Sequence, residues 1–277
     1  MIERLVWGLI LSGLVGGLGY WRRALSASGL VGAVLVGTVI FGLGGWVWGL
    51  LLITFFVSSS WLSHYRQAAK ERIADKFAKG SRRDLGQALA NGGLGAALAV
   101  AFAIDPHPLL LAAFLGVMGT VNADTWATEL GVLSRVPPRL ITTGQEVTAG
   151  ASGGVTWLGL WASVAGALLI GAMATALTQA ASLIRGSGWQ VEAVAYPLLA
   201  VTGGLAGSLV DSLLGATVQG IYYCDFCEKQ TERRVHGCGR RTRLVRGREW
   251  LNNDVVNLAA SAAGGLTAVV LAWLVWR

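Results

Sequence analysis

The sequence predicts an all-α, polytopic integral membrane protein of about eight transmembrane helices, built as a single membrane domain over 1–277. Three observations carry this. The 277 residues are 54% hydrophobic and only 13% charged, where a soluble domain would be about a quarter charged. Apolar runs of roughly 20 residues, the length that crosses the hydrocarbon of a bilayer, recur along the whole chain. Lys and Arg gather in alternate connections between those runs, the asymmetry that orients membrane proteins.

The first span, 5–21, follows only Glu3 and Arg4, and the chain continues straight into further spans, so it reads as a retained helix and not a secretory leader. Its Gly13, Gly16, Gly17 and Gly19 suit helices that approach closely. Spans two and three, 29–45 and 46–63, follow with almost no break. The connection 64–87 then alternates Tyr65, Ala68, Ile73 and Phe77 with Arg66, Lys70, Glu71 and Lys79. Over 64–81 it reads equally as a helix lying along the membrane surface or as a solvated extension of the third span. Arg82 and Arg83 either anchor the fourth span, 88–104, or contact phosphate. Asn91 opens that span.

The fifth span, 109–133, holds Asn122, Asp124 and Glu129 among apolar residues. An ionisable group at the centre of a membrane helix costs about 2.5–3.5 kcal/mol on insertion scales and so marks a functional site by default. Pro137 and Pro138 stop this helix. The connection 134–152 runs through Arg139, Thr142, Thr143, Gly150 and Ser152 to Gly153 at the start of the sixth span, 153–178. Glycine lets successive amides point at one anion, and a helix N-terminus adds a favourable dipole, so this stretch can cradle phosphates. It lacks the Gly-Lys-Ser/Thr of a Walker A loop. The seventh span, 193–220, carries Asp211, and Asn252, Asn253 and Asp254 open the eighth, 254–276.

All Lys and Arg except Arg4, Arg185 and Arg277 lie in connections that follow odd-numbered spans. This places those loops in the cytoplasm and both termini on the opposite side. It also accounts for the net charge of +7 without a nucleic-acid partner. On this topology Asn91, Asp124, Glu129, Asp211 and the run from Asn252 to Asp254 share one depth and face one compartment, as a site would.

The loop 221–250 contains all three cysteines: Cys224 and Cys227 in Cys-x-x-Cys, then His236-x-Cys238. Together they offer four zinc-type ligands, the alternative being three reduced thiols. A disulfide is disfavoured in a reducing compartment. The seven arginines from Arg233 to Arg248 can grip anionic headgroups or a nucleotide.

The runs 122–131 (from Asn122 to Gly131), 138–143, 207–216 and 250–257, with Gln87 to Gly92 and the cysteine loop, resemble the family that includes transmembrane protein 19 and the plant and cyanobacterial phytyl-phosphate kinases. The resemblance covers most of the chain. It implies CTP-dependent phosphorylation of a prenyl monophosphate, phytyl phosphate to phytyl diphosphate, feeding tocopherol and isoprenoid synthesis. It also leads one to expect a basic residue just after Gly144, where this chain has Gln145 and Glu146.

Phosphoryl transfer needs positioning and charge neutralisation above all. Asp124 and Asp211 are therefore expected to hold Mg2+, with Glu129 and Asp254 as further ligands or supports. Asn91, Asn122, Asn252 and Asn253 are expected to orient water or phosphate. Arg82, Arg83 and Arg139 are expected to receive anionic groups, with Thr142, Thr143, Gly150, Ser152 and Gly153 around the nucleotide phosphates. CTP, a prenyl phosphate and the lipid bilayer are the expected partners. A cytidylyltransferase, or an ion or solute transporter using the same carboxylates, are the alternatives.

Overall fold

The computed structural model of the chain describes residues 2–66 and 82–276. The surface-helix reading of 64–81 falls almost wholly outside the described residues. Among the described residues eight helices are long and apolar enough to cross a membrane. They are α1 (Ile2–Trp21), α2 (Ala27–Val39, continued by a π-helical turn, Ile40–Gly44), α3 (Trp46–His64), α4 (Leu85–Ile104), α5 (Pro108–Gly131), α6 (Trp157–Ile184), α7 (Tyr196–Thr217, led in by a 3-10 turn, Val191–Ala195) and α8 (Asn253–Val275).

Each helix answers to one expected span, and the ends differ for local reasons. The fourth begins at Leu85 because Asp84 and Gln87 form a capping box: Gln87 N donates to Asp84 Oδ1 at 2.9 Å and Asp84 N to Gln87 Oε1 at 3.2 Å. The sixth begins at Trp157, where Thr156 Oγ1 accepts from Gly159 N at 2.9 Å. It runs on to Ile184 because Gln179 and Ser182, which look like an end by hydropathy, bond the chain that returns. Gln179 Nε2 donates to Gln190 O at 2.7 Å, and Ser182 Oγ donates to Gly188 O. Gly45, at φ +89°, is the one-residue break between α2 and α3, a conformation glycine adopts without a Cβ clash.

α5 is the most buried of the eight and packs against α3, α4, α6, α7 and α8, while α1 and α2 pair at one side. Trp48 of α3 stacks on Phe114 of α5 with centroids 4.2 Å apart. At the α5–α7–α8 contact the backbones nearly touch. Thr120 Oγ1 shares its proton between Gly116 O (2.8 Å) and Gly203 O (3.1 Å). A Cβ on Gly264 would overlap Thr120 Oγ1, and one on Gly116 would overlap Gly264 O. Small residues permit this approach, and dispersion then holds helices together in a lipid solvent that offers no hydrophobic drive. Overpacking a tight core costs about 1–3 kcal/mol, so Gly264→Val is expected to lower the melting temperature in detergent. Gly13→Ala, where a Cβ meets nothing within 4 Å, should leave it unchanged.

The connections at one end carry β-structure that hydropathy does not reveal. β1 (Arg139–Leu140) pairs antiparallel with β2 (Gly154–Val155). β3 (Ile221–Cys224) lies between β4 (Lys229–Thr231) and β5 (Arg243–Arg246), antiparallel to both. At the same end the α1–α2 connection pairs with the residue before α4, since Ser26 N donates to Arg83 O and Arg83 N to Ala24 O, each at 2.9 Å.

Candidate functional site

Because neighbouring spans alternate in direction, the end that gathers these connections receives the C-terminal halves of α5 and α7 and the N-termini of α4, α6 and α8. Between them is a cavity of about 400 Å³, within the range that takes a small-molecule ligand. α5 turns Asp124, Thr125, Thr128 and Glu129 into it, two i,i+4 pairs, and α7 turns Ser208, Asp211 and Ser212. The three incoming helices contribute Gln87 and Asn91, then Thr156, Gly159 and Ser163, then Asn253 and Asn257. Their N-terminal dipoles bring partial positive charge to the cavity that the carboxylates share.

Among the described residues four carboxylates line the cavity, Asp124, Glu129, Asp211 and Glu232, against one guanidinium, Arg83. Glu129 accepts from Ser63 Oγ at 2.7 Å and lies in the field of Arg83. Burial pushes Arg83 down to about 10 while Glu129 opposes the shift, so the guanidinium stays charged at neutral pH. Asp124 and Glu232 both act electrostatically on Asp211. Asp211 Oδ2 is buried with no hydrogen-bond partner among the described residues. A buried carboxylate oxygen left unpaired beside two like charges is a place for a cation.

The return of the loop from β1 forms the remaining wall. Ile141 N donates to Gly153 O at 3.0 Å, and Gly153, at φ +83°, lies so close to α7 that a Cβ would overlap Ala216. Gly150, Ala151, Ser152 and Gly153 all line the cavity. Ser152 Oγ donates to Gln219 Oε1 at 2.8 Å, and Gln219 Nε2 donates to Glu232 Oε1 at 3.0 Å. Arg246 Nη2 donates to Gly215 O at 2.8 Å. Burial lowers this arginine and Glu232 raises it again.

Of the residues singled out from sequence, Asn91, Arg83, Asp124, Glu129, Gly150, Ser152, Gly153, Asp211 and Asn253 meet at the cavity. The others stand elsewhere. Asn122 is fully buried and braces helices: its Nδ2 donates to Gly166 O at 2.7 Å and its Oδ1 accepts from Ser58 Oγ at 3.1 Å. Asn252 caps α8, its side chain accepting from Val255 N at 3.1 Å, and Asp254 lies in the first turn behind it. Arg82 is exposed and donates to Leu25 O at 3.4 Å. Thr142 and Thr143 are exposed, outside the lining. Arg139 is exposed too and pairs with Glu146 at 3.0 Å, so the acidic residue that departs from expectation takes up the arginine beside it.

Gln87, Gln219, Glu232 and Asn257 were not among the candidate site residues, and all line the cavity. Glu232 sits in a hydrophilic loop where nothing in its neighbours distinguishes it. Asn257 could have been found by helical spacing, one turn after Asn253 on the same face.

Beside the cavity the four cysteine-loop residues converge. Cys224 ends β3, Cys227 lies in the β3–β4 turn, and His236 and Cys238 fall between β4 and β5. Their ligand atoms lie within 4.8 Å of one another. Cys224 Sγ and Cys238 Sγ are 3.8 Å apart, close to the roughly 3.8 Å between two thiolates on a tetrahedral zinc with Zn–S of about 2.3 Å. His236 Nε2 is buried with no hydrogen-bond partner among the described residues, and all three thiols are free. The Arg240 backbone and the His236 ring pull the Cys238 thiol down to about 6.

Over residues 10–265 the chain matches the family described as integral membrane protein DUF92. Protein PGR of Arabidopsis thaliana is 32% identical over 271 residues, 93% of this chain and 92% of that protein. An uncharacterized membrane protein of Methanocaldococcus jannaschii is 29% identical over 249 residues, 90% and 86% of the two chains. Another, of Synechocystis, is 31% identical over 154 residues, 54% and 59%. No solved structure matches the chain. By the extent of these matches the chain belongs to the DUF92 family of integral membrane proteins.

Proposed function

We propose that the cavity transfers the γ-phosphoryl group of CTP to a prenyl monophosphate, with phytyl phosphate giving phytyl diphosphate as the reaction the family resemblance implies. The observation that carries this reading is the make-up of one cavity, which among the described residues brings four carboxylates, one guanidinium and three helix N-termini to the same end of an apolar bundle. Phosphates need cations and oriented N–H groups, and nothing else in the described chain gathers both. The bias of Lys and Arg supports a cytoplasmic placement of this end, where CTP is available, with both termini on the other side.

The donor set is wholly oxygen and includes the unpaired Asp211 Oδ2, which suits a hard divalent cation such as Mg2+. Asp124, Asp211 and Glu232 are the residues to hold it, and a bound magnesium supplies charge neutralisation for the phosphates. Glu129 and Ser63 keep Arg83 directed at the acceptor phosphate. The 150–154 loop and the α6 N-terminus receive the nucleotide phosphates. A terminal oxygen of the acceptor attacks the γ-phosphorus in line, the bond to the β,γ-bridging oxygen breaks, and CDP leaves with that oxygen. The acceptor oxygen is already anionic, so no strong base is needed. In the cysteine loop Cys224, Cys227, His236 and Cys238 suit a structural zinc.

Transport needs a polar path to the far side. Beyond the cavity α5 is buried from Ala112 to Ala123, and its Thr120 hydroxyl is already taken by two carbonyls. The test is a transfer assay on detergent-purified protein, offering CTP, ATP or GTP with phytyl or geranylgeranyl monophosphate and magnesium. Prenyl diphosphate and CDP are the expected products. Pyrophosphate with a CMP-linked lipid would make it a cytidylyltransferase, and no turnover with any donor would remove the enzyme reading.

A further inference from the structure

A second, narrow crevice of about 80 Å³ lies among α1, α2, α3 and α4. Its walls are apolar, with Val15, Val36, Ile53 and Phe56 among them. Gly16, Gly37, Gly49 and Gly92 also line it, where the helices pack so closely that a Cβ on Gly37, Gly49 or Gly92 would overlap Ser12, Phe41 or Val36. Three of its lining residues, Arg83, Gln87 and Asn91, also line the carboxylate cavity. They recur every four residues, so the entry and first two turns of α4 form one polar stripe that serves as a wall common to both spaces. Arg83 marks the boundary: its guanidinium lies 5.3 Å from the Phe55 ring centroid and 5.7 Å from that of Phe56, and among the described residues it is the cation that lines the acidic cavity.

Building on the phosphoryl-transfer reading of that cavity, we propose that this crevice holds the hydrocarbon chain of the lipid monophosphate acceptor, with its phosphate on Arg83. Two observations commit the space to this occupant. Charge complementarity places an anionic head at Arg83, since the carboxylates around it repel an anion from the rest of the cavity unless cations are bound. Continuity through Arg83, Gln87 and Asn91 then leaves an apolar slot directly beside that head. The slot is narrow, so it takes the first carbons of one chain and not the two chains of a bilayer phospholipid. An amphiphile placed this way keeps its reacting phosphate at the carboxylates and its chain away from water, with no polar group buried unpaired.

The test uses the full chain in nanodiscs and a geranylgeranyl monophosphate analogue with a diazirine on an early isoprene unit. After irradiation, labelled peptides are mapped by mass spectrometry. Label on crevice residues of α1 to α4 is expected, competed by unlabelled geranylgeranyl monophosphate and not by inorganic phosphate. Ala33→Trp, which fills the crevice, should cut that label and raise the KM for geranyl and geranylgeranyl phosphate alike by about tenfold, as when roughly two methylenes lose apolar contact. Label confined to α6 to α8 or to the outer surface, label that phospholipid competes equally well, or no label at all would overturn the proposal. The wild-type map does not depend on the variant folding. Competed crevice labelling without turnover would leave the binding site standing and remove the kinase chemistry; turnover with labelling elsewhere would do the reverse.

Discussion

Asp211→Asn is expected to reduce turnover by on the order of a hundredfold or more, the loss that follows removal of one preorganised electrostatic contact to a transition state. The fold should survive it. Asparagine matches aspartate in volume, and Asp211 already faces Asp124 and Glu232 across a cavity where the Arg83 guanidinium is engaged near Glu129. Like charges in a partly desolvated site repel, so neutralising one of the three should raise the melting temperature of the magnesium-free protein while activity falls. Magnesium should stabilise the wild type strongly and the variant weakly, since a ligand stabilises only by what it binds: about 2.7 kcal/mol at a hundred times Kd. Asp124→Asn should behave alike. Arg139→Ala and Thr142→Ala, outside the cavity, should change stability by about 0.5 kcal/mol or less, with turnover unaltered. Full CTP-dependent turnover in Asp211→Asn would sink the metal assignment.

The second large effect is expected from the cysteine loop. Glu232 lies between Cys227 and His236 in sequence and directly after β4. A metal holding those two side chains therefore also sets where the Glu232 carboxylate reaches. Structural zinc contributes roughly 10–16 kcal/mol of apparent binding free energy in small zinc domains, so if this loop holds one, losing it should unravel the hairpin. Cys224→Ser should remove one zinc per chain, measured by elemental analysis, and should lower turnover while raising the magnesium concentration needed for half activity. Glu232→Gln should lower turnover similarly and keep its zinc. Protein that purifies without zinc and works fully without it would show the cluster to be three thiols and an imidazole with no metal role.

The division of labour among polar residues explains how much of the site could be read in advance. Asp124 and Asp211 stand out because a carboxylate in an apolar run has no inexpensive structural explanation. Asn122, in the same run, looked equivalent and is a brace, because an amide can satisfy itself on the Gly166 carbonyl and the Ser58 hydroxyl. Arg139, Thr142 and Thr143 looked like phosphate contacts because they sit in a glycine-rich loop. The β1–β2 pairing turns them outward and presents Gly150 to Gly153 instead. Glu232 was invisible for the opposite reason: in a loop of many charges one more glutamate carries no signal until a hairpin of strands three and four residues long aims it inward.

The count of spans, their order and the single layer of embedded carboxylates were determined by the sequence alone, because hydrocarbon admits few polar groups and only fully hydrogen-bonded helices, so hydropathy translates almost directly into architecture. Which polar groups meet was decided only by tertiary structure. The connections are wet at the membrane surface, where many sequences are tolerated and short strands carry no periodicity. The positions of Glu232, Gln219 and the 150–154 loop depend on contacts between residues far apart in the chain, such as Gly153 against Ala216 and Ser152 on Gln219. No local pattern encodes that convergence; it appears when α5 and α7 close on the N-termini of α4, α6 and α8.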